Sequence, residues 1–122
     1  MDAPATIYIV EDDEAVRDSL KLLLESYGMA VEDCDSVQSF VHRYRAGPGQ
    51  CLLLDQHLPN TTGLDFLSSP QGAALQLPVI LITGRGSAAI RDRAYDLGVH
   101  AYLEKPVSDE ILLEALRDAI DR

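Results

Sequence analysis

The sequence predicts a doubly wound α/β domain, a five-stranded parallel sheet of order 2-1-3-4-5 with five helices on its two faces. Three observations predict it. Five short runs of apolar and β-branched residues alternate along the chain with stretches of helical periodicity. One of these runs, Cys51-Leu52-Leu53-Leu54-Asp55, stays apolar up to a terminal carboxylate and is fenced by Gly47-Pro48-Gly49 before it and by Pro59 and Gly63 after it. It is too short for a helix and suits a strand buried on both faces, the kind found in parallel sheets covered by helices. Other runs also close on polar residues, at the end of the strand where such sheets open a ligand crevice.

Taken in order, Thr6-Ile7-Tyr8-Ile9-Val10 is β-branched and aromatic and runs straight into Glu11-Asp12-Asp13-Glu14, a buried strand ending in acid. From Glu14 to Tyr27 the residues Val16, Leu20, Leu23, Leu24 and Tyr27 recur at helical spacing, and Gly28 follows as a stop. Val16, Leu20, Leu23 and Tyr27 form the inward stripe of this helix, which leaves Ala15, Asp18, Ser19 and Leu22 on another face near Asp55. Ala30 to Cys34 mixes apolar and acidic residues as a more exposed strand would. A helix begun near Ser36 is marked by Val37, Phe40, Val41 and Tyr44.

The strand ending at Asp55 comes third, followed by a loop with Pro59 and Gly63 and a short helix around Leu64, Phe66 and Leu67 that Ser69-Pro70-Gln71-Gly72 interrupts. Pro78-Val79-Ile80-Leu81-Ile82 is a fourth buried strand closing on Thr83-Gly84, and Ile90, Ala94 and Leu97 define a helix ended by Gly98. Ala101-Tyr102-Leu103-Glu104 makes the fifth strand, stopped by Lys105-Pro106. Ser108, with Asp109 and Glu110 in the first turn, opens a last helix running to about Asp121. Right-handed crossovers between consecutive strands give the flavodoxin-like order.

Composition narrows the function. A chain of 122 residues fits one domain, residues 1–122, and buries roughly 60–70% of its unfolded surface. No tract is long enough to cross a bilayer or act as a signal peptide, so a soluble cytoplasmic chain without membrane contact is expected. Ten basic against twenty acidic residues give a net charge of −10, which disfavours direct nucleic-acid binding by this domain. Cys34 and Cys51 lie in separate apolar segments and read as reduced core residues. His42, His57 and His100 are too scattered for a zinc site.

The order 2-1-3-4-5 makes the first and third strands central neighbours, so Asp12, Asp13 and Asp55 converge on one crevice, with Thr83 and Lys105 arriving from the fourth and fifth strand ends. Taken singly, each has a plain reading: Asp55 ends a strand, the Asp12-Asp13 pair caps a helix, Thr83 sits beside a turn glycine, and Lys105 is a solvated charge. Independent elements nevertheless deliver all of them to the same end of the sheet. Clustered carboxylates raise one another's pKa unless a cation is present, and oxygen ligands suit Mg²⁺. A lysine and a hydroxyl opposite the metal are what a phosphoryl group needs, which leaves Asp55 as nucleophile.

With these residues in place the chain resembles bacterial two-component response-regulator receiver domains. The likeness runs from Glu11-Asp12-Asp13 through Asp55, Pro59 and Gly63 to Thr83-Gly84 and Lys105-Pro106, and the wording around Asp55 and Thr83 is most similar to the nitrogen-fixation transcription regulators. The resemblance implies a phosphorelay module in which Asp55 accepts a phosphoryl group from a sensor histidine kinase or phosphotransfer protein. It further implies Mg²⁺ held by Asp13, Asp55 and the backbone carbonyl of His57, with Asp12 acting through metal-bound water. Thr83 and Lys105 would bind phosphoryl oxygens, Tyr102 would change rotamer on activation, Lys105-Pro106 would be a cis peptide, and phosphorylation could drive a homodimer. On this reading the domain is a signalling module that catalyses only its own phosphoryl transfer and slow dephosphorylation. His57 and Arg85 would flank the approach to the site and tune the lifetime of the phosphoryl group.

Two other functions share parts of this pattern. A haloacid-dehalogenase-like phosphatase also uses a strand-end Asp nucleophile, but it needs a second Asp two residues on, where this chain has His57. A flavin carrier of the same fold needs a Ser-, Thr- and Gly-rich loop after the first strand, where Glu11-Asp12-Asp13 would repel a phosphate.

Overall fold

Five parallel strands, β1 (Thr6–Val10), β2 (Ala30–Cys34), β3 (Gln50–Asp55), β4 (Val79–Thr83) and β5 (Ala101–Glu104), form one sheet in the order β2-β1-β3-β4-β5. The computed structural model describes residues 4–121, so residues 1–3 and 122 of the expected domain lie outside the described residues. The helices among the described residues are α1 (Glu14–Ser26), α2 (Val37–Arg43), α3 (Gly63–Ser68), α4 (Pro70–Ala73), α5 (Ala88–Asp96) and α6 (Asp109–Ile120).

The expected count of five helices is therefore corrected to six. The stretch read as an interruption is a helix start. Ser69 ends α3, donating its backbone N–H to the Phe66 carbonyl, and at the same time caps α4, its Oγ accepting from the Gly72 N–H at 3.2 Å. Pro70 then stands at the first helical position, where a missing N–H costs nothing. Gly72 lets the two short helices touch, because a Cβ there would lie 2.0 Å from the Phe66 carbonyl oxygen.

Alternation along the central strands splits the core into two layers. Tyr8, Val10, Leu52, Leu54, Val79 and Leu81 face α2, α3 and α5, where Phe40, Leu64, Phe66 and Ala94 close the layer. Ile7, Ile9, Cys51, Leu53, Ile80 and Ile82 face α1 and α6 and pack on Leu24, Leu112, Leu113 and Leu116. Phe40 meets Tyr8 edge-on at 5.3 Å and Phe66 at 6.2 Å, so aromatic contacts knit the first layer across β1, α2 and α3. The continuous apolar run of β3 is explained by this double coverage.

The inward stripe expected of α1 is narrower than its periodicity suggests. Leu24 is the buried residue, Leu20 and Leu23 pack partly, and the end residues Val16 and Tyr27 are 37% and 52% exposed. Tyr27 instead lies under the guanidinium of Arg117 from α6. No helix among the described residues is long and apolar enough to cross a membrane.

Candidate functional site

The parallel register brings the carboxyl ends of β1, β3 and β4 level: Val10 pairs with Leu54, and Asp55 with Ile82. The chain leaves β1 still extended, and the Glu11 N–H donates to the Cys34 carbonyl at 3.1 Å, so Glu11 stays at the strand end and is buried. Asp55, the last residue of β3, is also buried. One carboxylate oxygen from each of Glu11, Asp12 and Asp55 fits in a group whose members all lie within 4.8 Å of one another.

Asp13 stands outside that group. It is the N-cap of α1, with extended backbone and a side chain accepting from the Val16 N–H at 3.1 Å. The carboxylate that joins Asp12 and Asp55 is thus Glu11, one residue earlier than the sequence reading put it. The signal that would have found it is local: a helix beginning at Glu14 needs a cap at position 13, and Asp is among the best cap residues.

Lys105, carried past the end of β5, reaches back over the crevice. Its Nζ lies 3.2 Å from Glu11 Oε1 and 3.6 Å from Asp55 Oδ1. The peptide joining Lys105 to Pro106 is cis. Burial acts to lower the pKa of Lys105, but the charges of Asp55 and Glu11 and their hydrogen bonds outweigh it, so the ammonium form is favoured. The Glu11 pKa is raised as well, which for an acid favours the neutral form. Burial, followed by the hydrogen bond and negative charge of Asp55, raises its pKa against the opposing pull of Lys105. Three acids with one ammonium leave the crevice short of positive charge.

Beneath the crevice, Gln56 fixes the loop that follows β3. Its backbone pairs with Ile82 and Gly63, and its side-chain carbonyl accepts from the Leu64 N–H at 2.9 Å. Gly63 is required there, because a Cβ would fall 2.9 Å from the Asp55 carbonyl oxygen and 2.8 Å from Leu81.

His57 and Thr83 meet directly. The His57 Nε2 is 3.1 Å from the Thr83 hydroxyl, and the His57 backbone N–H points to Asp55 Oδ1 at 3.4 Å. Thr83 is fully buried while His57 is exposed, so the imidazole lies on the solvent side of the hydroxyl. Arg85 is exposed, and its backbone N–H donates to the same hydroxyl at 3.1 Å. Tyr102 lies further along the β4–β5 edge. Its hydroxyl donates to Glu104 at 3.1 Å, and its N–H donates to the Tyr95 hydroxyl at 3.3 Å.

A doubly wound sheet of order 2-1-3-4-5 with an acidic, lysine-bridged crevice at its topological switch point defines the class, a flavodoxin-like α/β domain whose polar site lies at the carboxyl ends of its strands. Within that class the chain belongs to the response-regulator receiver family, since the family described as "Response regulator receiver domain" matches residues 7–117. It is 33% identical over 116 residues to the transcriptional regulatory protein FixJ of Azorhizobium caulinodans, covering 95% of this chain and 55% of that one. It is 34% identical over 119 residues to the response regulator protein TodT of Pseudomonas putida strain F1, covering 98% and 52%. The chain therefore spans about half the length of these curated relatives. Among solved structures it resembles the crystal structure of FixJ-N, with a TM-score of 0.86 and 30% identity over 100% of this chain and 97% of that one. It also resembles the beryllofluoride-activated NtrC4 receiver domain dimer, with a TM-score of 0.85 and 26% identity over 95% and 96%. The established role of the family is phosphorylation-dependent signalling.

Proposed function

We propose that Asp55 is the phosphoacceptor of this receiver domain. The observation that carries the reading is the position of Lys105, whose ammonium spans Glu11 and Asp55 at the mouth of the acidic crevice. A carboxylate oxygen of Asp55 attacks the phosphorus of a phosphohistidine on a sensor kinase or phosphotransfer protein. The new O–P bond forms as the P–N bond breaks, and the bonding pair returns to the imidazole nitrogen. Water later attacks the phosphorus, releasing inorganic phosphate and regenerating Asp55. Lys105 stabilises charge on the phosphoryl oxygens, and the Thr83 hydroxyl donates to one of them.

The donor set fits Mg²⁺, being all oxygen, clustered and short of positive charge. Glu11, Asp12, Asp55 and the His57 carbonyl would hold it, with Glu11 in the place first given to Asp13. When bound, Mg²⁺ supplies neutralisation of the charge that gathers as the phosphoryl group is transferred.

Movement of Thr83 toward the phosphoryl group frees room that the Tyr102 ring can take, and the α5–β5–α6 surface changes with it. This surface is the proposed site of a phosphorylation-dependent homodimer, in keeping with the likeness to a beryllofluoride-activated dimer. We place the protein in the cytoplasm, where a kinase can reach it. His57 and Arg85 border the approach of water and set the lifetime of the phosphoryl group, with Arg85 shielding. The test is labelling by a small acyl phosphate in Mg²⁺. The native chain should take up one phosphoryl group and Asp55→Asn none, and label persisting on the variant would overturn the reading.

A further inference from the structure

We propose that His57 is a latch on the unphosphorylated state: its imidazole holds the proton of the Thr83 hydroxyl and must give it up before Thr83 can serve phosphorylated Asp55. This rests on Asp55 being the phosphoacceptor. A hydroxyl offers one proton and two lone pairs. At Thr83 one lone pair is taken by the Arg85 N–H at 3.1 Å, and the other contact is His57 Nε2 at the same distance. In the tautomer protonated at Nδ1, Nε2 is an acceptor and the hydroxyl proton is committed to it. The donor that a phosphoryl group needs is then already in use.

The geometry ties this contact to the acceptor. One residue touches both ends of the switch, its backbone N–H toward Asp55 Oδ1 at 3.4 Å and its ring on Thr83. Thr83 is fully buried, so no water competes for its proton once His57 is seated. His57 is exposed, so it can swing aside into solvent without opening the core. Phosphorylation and the latch therefore compete for one hydrogen bond, and His57 is a positioning residue that sets how far the equilibrium leans toward rest.

Beryllofluoride titration followed by NMR at Thr83 and Tyr102 tests this. His57→Phe keeps a ring but no acceptor, and the apparent beryllofluoride affinity should tighten about 3- to 10-fold, the range expected for release of one neutral hydrogen bond. His57→Gln, which retains an acceptor, should stay near the native value. In a Thr83→Ala background His57→Phe should have no effect, because the shared partner is gone. An unchanged or weaker affinity in His57→Phe, or the same gain with Thr83→Ala present, would overturn the latch. Failure of the native chain to respond to beryllofluoride would instead overturn Asp55 as acceptor, and the latch with it.

Discussion

Two neighbouring acids, Glu11 and Asp13, do different work although the sequence presents them as equals. Glu11 is buried in the crevice against Lys105, and Asp13 spends its carboxylate on the Val16 N–H. Their variants should therefore separate. Asp13→Ala should lose about 1 kcal/mol of stability, the usual cost of an N-cap, and keep the rise in melting temperature that millimolar Mg²⁺ confers. Glu11→Gln should lose most of that rise. Calorimetry with and without Mg²⁺ distinguishes them, and a Mg²⁺ effect abolished in Asp13→Ala but intact in Glu11→Gln would reverse the two roles. The site was legible to this depth and no further. Asp55, Thr83 and Lys105 stand singly at their strand ends, so spacing located them, whereas the run of four consecutive carboxylates from Glu11 to Glu14 left the register open by one residue.

Among the elements, four strands were legible as short apolar runs between breakers, and β2, with Glu32 and Asp33 inside it, by its mixture of apolar and acidic residues and its place between two helical stretches. The helices were legible where an apolar stripe repeats. α4 has four residues and no stripe, so only the Ser69-Pro70 pair announced it, and that pair reads equally well as an ending. On α1 the exposed face carries Leu22, which is 71% exposed. Leu22→Glu should slow transfer from a kinase roughly tenfold, as loss of one well-buried contact at an interface does, while leaving labelling by a small acyl phosphate unchanged. Equal slowing of both reactions would make Leu22 structural. At the β4–α5 turn, Gly86 leaves room for the Tyr102 hydroxyl: a Cβ there would fall 1.9 Å from that oxygen and 2.6 Å from Glu104 Oε1. Gly86→Ala should push the ring from this position and cost its bond to Glu104, about 0.5–1.5 kcal/mol, moving the resting chain toward the switched form. An unchanged Tyr102 rotamer by NMR would refute this.

For the whole molecule, the two apolar layers set what chemistry can reach the interior. Cys51 lies wholly inside the layer under α1 and α6, and burial pushes its thiol from 9.0 up to about 12. The sign follows from linkage: a pKa raised by folding gives stability that is present below about pH 9, the unfolded value, and is lost as pH rises toward 12. At pH 8 alkylation of Cys51 should occur only through unfolding and should track the loss of circular dichroism in denaturant. Labelling of the native chain at the rate of a free thiol would contradict the packing. The order of the sheet has a further consequence for breathing of the backbone. Glu11, Asp55 and Thr83 hang from β1, β3 and β4, each bonded to a neighbour on both sides, while β2 and β5 form the edges. Amides of β3 should accordingly exchange with deuterium only on complete opening, and those along the free side of β5 by local fraying. The β5 edge can loosen and re-form many times while Asp55, on a central strand, keeps its place.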